Sequence, residues 1–243
     1  MTTTSAVPAV SARSPQSGPP LLLPAVAFAA LMVVSIVLSR QTPLPTDSAA
    51  DTLAYYRDHA TVAKVAGTLQ FGASLPLAIW AAIAYQRLRR LGVTAPGPGI
   101  ALVSGVLAAA SMAVCGLTVW TAARAGGLGD APLVRSLADL TFASGGPGHV
   151  VPFAVMLAGV AVPMLLLGFG PRGFAWAGLV LAGIGVLGTL ALLSTSLGFF
   201  LPIARFGGLI WLIAASVLLP AQRPRRAAEA GAGDGAAADD RAA

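Results

Sequence analysis

Six long apolar runs separated by short polar connections dominate the chain, over residues 21–38, 65–84, 100–122, 150–169, 174–197 and 199–220. Each is close to the ~20 residues that carry a helix across a ~30 Å hydrocarbon core. The runs are too long and too continuous for barrel strands, whereas a helix satisfies its own backbone polar groups in lipid. The pattern therefore predicts an all-α fold, a polytopic transmembrane helical bundle of six spans. The flanks, residues 1–20 and 221–243, are rich in small and polar residues and are expected to be disordered tails. Ala27-Phe28-Ala29 resembles a signal-cleavage site, but hydrophobicity continues past it as far as Arg40, which predicts a retained helix.

Two connections are long enough for structure of their own. In the first, Asp47 is placed to cap a helix running to about Asp58, with Leu53 and Tyr56 on one face. In the second, Asp130 is placed to cap a helix over 131–143, with Leu133, Leu137 and Leu140 as an apolar stripe and Arg135 and Asp139 as an i,i+4 pair. Both read as short interfacial helices. Gly145-Gly146-Pro147-Gly148 then breaks the chain before the fourth span.

Charge adds an orientation. When the six spans are threaded alternately, nine basic residues fall on the side that holds both termini and five on the other, with Arg205 inside the last span. The positive-inside rule then places both termini in the cytoplasm and the protein in the inner, or plasma, membrane. Tyr55, Tyr56 and Trp120 are expected as outer interfacial anchors, and Tyr85 and Trp176 as inner ones. Small residues four apart mark the faces that meet other helices: Ala101, Gly105, Ala109 and Ala113 in the third span, and Ala66, Gln70, Ser74, Ala78 and Ala82 in the second; in the fifth, Gly178 with Ala182, and then Gly183, Gly185 and Gly188, make a helix that neighbours can approach closely.

Composition excludes more than it assigns. With 56% hydrophobic and 10% charged residues, a mean hydropathy of +0.81, and arginines scattered at span ends, the +6 net charge marks topology and not a nucleic-acid surface. Cys115 is the single cysteine, so there is no intrachain disulfide and no thiolate cluster for a metal. The one glutamate, Glu229, rules out an HExxH zinc site. Phe142-Ala143-Ser144-Gly145 lacks the first glycine of a rhomboid-like serine motif. Gly127-Leu128-Gly129-Asp130 matches the Gly-x-Gly-Asp of aspartyl intramembrane proteases, but in a loop, and residues 231–234 repeat the match in the tail. Only His59 and His149 could ligate haem, and both are expected at the outer boundary. The spans contain no carboxylate, which weighs against a proton-coupled transporter. No catalytic residue, metal or cofactor is therefore expected.

A small polar cluster remains. Counting depth along the spans brings Gln70, Thr118, His149 and Arg205 toward one outer pocket, with Ser194–Ser196 at its rim. Arg205 lies ~6 Å below Leu201 at 1.5 Å per residue, near a helix N-terminus where the dipole disfavours a cation. An anion is therefore expected beside it. Asp139 is the first choice, ahead of Asp51, Asp58, a lipid phosphate or an acidic ligand.

Tyr55-Tyr56-Arg57-Asp58-His59, Gln86-Arg87-Leu88-Arg89-Arg90, Gly170-Pro171-Arg172 and Ser196-Leu197-Gly198-Phe199-Phe200 together give the chain a likeness to a known group. It resembles the uncharacterised small multi-span integral membrane proteins of bacteria, a resemblance that implies a six-helix bundle and transfers no catalytic residue. The expectation is a multi-pass membrane protein without enzymatic activity, in an accessory, scaffolding or sensory role. The alternative is a small-solute carrier or channel component that uses the outer pocket. Expected partners are the lipid bilayer and another membrane protein or a second copy of the chain, with no nucleic acid.

Overall fold

The computed structural model describes residues 20–220, and the two tails, with the arginines at 223, 225 and 226, lie outside the described residues. The chain forms a helical bundle: α1 (Leu22–Leu38), α2 (Ala49–Asp58), α3 (Ala60–Arg90), α4 (Gly97–Ala125), α5 (Ala131–Gly145), α6 (Pro147–Leu167), α7 (Arg172–Leu187) and α8 (Phe200–Leu218). Five helical stretches are long and apolar enough to cross a membrane, and α1, at 17 residues, is a shorter apolar helix packed beside them on α3 and α8. Contacts run α1 to α3 to α4 to α6 to α7 to α8 and back to α1, so the six apolar helices close a ring, with α6 also touching α3 and α8.

Apolar residues cover the outside as well as the inside, as lipid demands. Val103, Ile210 and Leu166 are exposed, whereas Phe28, Leu77, Trp80, Phe153, Met156 and Leu212 are buried where α1, α3, α4, α6 and α8 meet. Small residues set the tightest crossing. A Cβ on Gly67 would lie 2.6 Å from the Gly116 carbonyl oxygen, so α3 and α4 meet backbone to backbone. Other rows need adjustment: Gly178, Ala182, Gly185 and Gly188 are buried, but Gly183 is exposed with nothing near it.

The fifth span ends earlier than its hydropathy predicts. The α-helix stops at Leu187, continues as a 3-10 turn over Gly188–Leu192, breaks at extended Ser194 and resumes as a second 3-10 turn over Thr195–Phe199 before α8. Glycine weakens the helix here, with Gly183, Gly185 and Gly188 in close succession.

The connections at one end of the bundle are built by side chains. Ser48, not Asp47, caps α2: its Oγ accepts from Asp51 N at 3.1 Å, while Asp47 Oδ2 accepts from Leu44 N at 2.7 Å one turn earlier. Asp130 caps α5 as its position predicts, accepting from Leu133 N at 3.0 Å. Along α5 the buried residue is Val134, with Leu137 packed beside it, and Leu133 and Leu140 stay exposed. Arg135 ties the two connections together by donating to the carbonyls of Leu44, Pro45 and Asp47. Tyr56 is no interfacial anchor. Its ring is buried where α2 meets α4 and α5, and its hydroxyl lies toward Thr141 without reaching hydrogen-bond geometry. Burial pushes this phenol above its ordinary range.

Candidate functional site

The ends of α1, α3, α4, α5 and α8 on the side that carries α2 and α5 leave a crevice of about 300 Å³. Its polar lining is Gln70 from α3, Cys115 from α4, Thr141 and Gly145 from α5, and Arg205 from α8; Met32, Met112, Phe142 and Leu201 supply apolar wall. Each arrives through the pattern of its own helix. Cys115 follows Ala108 and Met112 on the buried stripe of α4. Gln70 sits one turn beyond Ala66 and Gly67. Arg205 is a turn and a half into α8.

Of the residues expected in one outer pocket, the structure brings Gln70 and Arg205 together and leaves out the other three. Thr118 returns its hydroxyl to its own helix, donating to Val114 O at 2.8 Å. His149 is not at the boundary but fully buried. Its Nδ1 lies 3.0 Å from Ala108 O, and its ring stacks on Phe153 at 5.5 Å between centroids. The reason is that α6 begins at Pro147, already inside the bundle, because Gly145 and Gly146 let the chain turn tightly against Cys115 and Leu201. Asp139 is 52% exposed and bound to Arg135 at 2.7 Å. Ser194–Ser196 are exposed, and Gly198 stands at the crevice instead.

Arg205 therefore does not pair with Asp139. Six residues separate Asp139 from Gly145, which turns them roughly 120° apart around α5, and Arg135, one turn away, captures the carboxylate first. The guanidinium finds a backbone partner: its Nη2 donates to Gly145 O, the last carbonyl of α5. A helix C-terminus leaves such carbonyls without intrahelical donors and carries about half a negative charge, so Arg205 is a cross-helix cap. That neutralises the cation only in part. Arg205 forms no ion pair among the described residues, and its Nε is shielded from solvent without a hydrogen-bond partner. Removing such a charge from water costs several kcal/mol per ion unless it is matched.

Cys115 and Thr141 are the crevice residues that depth counting misses. The single S–H of Cys115 has two acceptors within reach, Gln70 Oε1 at 3.3 Å and Thr141 O at 3.6 Å, which brings three helices together. Its place on the helical burial stripe was the available signal, since Ala108, Met112, Cys115 and Val119 recur at three to four residues. Thr141 uses its hydroxyl on Leu137 O at 3.0 Å and offers the crevice its backbone carbonyl.

The described residues contain no group of three or more His, Cys, Asp or Glu that could hold a metal. The chemistry on offer is donor-rich: the Gln70 amide and a guanidinium answered by a single carbonyl, against a mainly apolar wall. Such a lining can grip an acceptor but holds no base beside a nucleophile. Comparison with protein-family models, curated proteins and solved structures found no match to this chain.

Proposed function

We propose that this multi-pass membrane protein has no catalytic activity of its own and serves an accessory or sensory role by holding a small ligand in the crevice at Arg205. One observation carries the reading: the crevice ends blind. Beneath Met112 lies a packed layer of Phe28, His149, Phe153 and Leu157, all at most 1% exposed. Two cavities at the opposite end of the described residues, one beside Arg89 and Pro96 and one beside Gly97 and Pro163, share no lining residue with it. Ligand entry without a continuous path favours occupancy sensing over an open channel.

The basic residues support a location in the bacterial inner membrane with the crevice facing outward. Alternate threading puts nine basic residues, Arg87, Arg89, Arg90 and Arg172 with five more in the flanking tails, on the side away from the crevice, against Arg40, Arg57, Lys64, Arg124 and Arg135 on the crevice side, and the positive-inside rule assigns the richer side to the cytoplasm. A small-solute carrier or channel component is the second reading, favoured by the meeting of Gln70 and Arg205, polar groups from two spans, in one crevice. Proteoliposome flux separates the two. The sensory reading expects binding with no solute flux above protein-free vesicles. Flux that disappears in Gln70→Ala establishes the carrier.

A further inference from the structure

The crevice is selective in charge as well as in shape. The Arg205 guanidinium lines it and is answered by one backbone carbonyl, while its Nε, shielded from solvent, adds no partner to balance the charge. Gln70 uses its Oε1 on Cys115, and its amide nitrogen donates to no described group. Hydrogen-bond donors thus exceed acceptors at one end, with an unmatched positive charge among them. The remaining wall is Met32, Ile36, Met112, Phe142 and Leu201.

The complement of this lining is a molecule with oxygens carrying negative charge at one end and hydrocarbon at the other. Guanidinium donors bind carboxylate and phosphate oxygens by charge-assisted hydrogen bonds, which strengthen away from water. A volume of about 300 Å³ lies at the lower limit of ligand pockets. Accepting the crevice as a ligand site, we infer that it binds an amphiphilic oxyanion, a carboxylate or phosphate on an aliphatic chain, with Arg205 and Gln70 donating to its oxygens. A free alkanoate and an anionic phospholipid share that chemistry.

The chain carries its own reporter. Cys115 is the single cysteine and lines the crevice, so its rate of modification by methyl methanethiosulfonate reports occupancy in the full-length protein. The rate is measured in neutral detergent with octanoate, octanol or octylamine, and in phosphatidylcholine nanodiscs with or without phosphatidylglycerol. Octanoate is expected to slow modification at least tenfold and the other two additives less than twofold. Arg205→Gln abolishes the protection, and Arg205→Lys retains part of it. If Arg205→Gln fails to fold, Gln70→Leu, which removes the second donor, is read in its place. Protection by phosphatidylglycerol but not by octanoate upholds the inference and assigns the oxyanion to lipid. Equal protection by octanol and octanoate overturns the anion while leaving a ligand crevice. No protection by any probe overturns both.

Discussion

Two buried polar groups on opposite halves of the bundle meet different fates. In the half away from the crevice, Trp80 Nε1 on α3 donates to Ser216 Oγ on α8 at 2.8 Å, and Ser216 passes its own proton to Leu212 O at 2.7 Å. Nearby, Arg87 closes onto Leu219 O at 3.1 Å, and Trp211 Nε1 donates to Phe174 O at 2.9 Å while its ring stacks on the Phe174 ring. Each of these side chains has found an acceptor. In the other half, the Arg205 Nε donor and His149 Nε2, the ring nitrogen left over once Nδ1 faces Ala108 O, have no partner. Lipid-embedded helices have little reason to keep polar groups except to pack or to act. The answered seam accounts for how α3 and α8 hold together, and the unanswered crevice is where the molecule still has bonds to offer.

Substitutions sharpen this contrast. Trp80→Ala empties the largest side chain of the seam and is expected to lower stability in detergent by about 4 kcal/mol, read as a fall in melting temperature with early aggregation. Ser216→Ala leaves the indole N–H buried without an acceptor, and about 1 kcal/mol is expected, in keeping with interhelical hydrogen bonds in membranes. Arg205→Met preserves volume while deleting an incompletely matched charge. The lost cap on Gly145 and the removed desolvation cost oppose each other, so a change of less than about 1 kcal/mol of either sign is expected. A loss from Arg205→Met as large as that from Trp80→Ala, in chemical or thermal unfolding, would place the arginine in the structural seam and end the distinction.

The spans were legible because hydropathy over some twenty residues registers burial in lipid whatever the neighbours do. Their ends were less so. The second span predicted over 65–84 is a helix from Ala60 to Arg90, since a helix continues into the interface until its cap, not until its last apolar residue. Depth along a span was also legible, and it brought Gln70 and Arg205 to one level. Direction around the helix was not. Thr118 lies near that level but bonds its own backbone, and Asp139 pairs within α5. The apolar run starts at Val150 and so puts His149 at the outer boundary, yet the turn permitted by Gly145 and Gly146 carries the chain inside before it. Cys115 showed its burial by periodicity, while the gap beside it depends on how α8 leans against α5.

The first helix carries a consequence for the membrane itself. Seventeen residues in α1 rise roughly 25 Å at 1.5 Å each, short of a ~30 Å hydrocarbon core. Arg40 follows two residues later and is exposed, whereas Phe28 and Met32 fix the helix against its neighbours. A helix of that length matches a thinner hydrocarbon core, so beside α1 a full-thickness bilayer would have to thin, or flanking side chains such as Arg40 would have to reach outward to the headgroups.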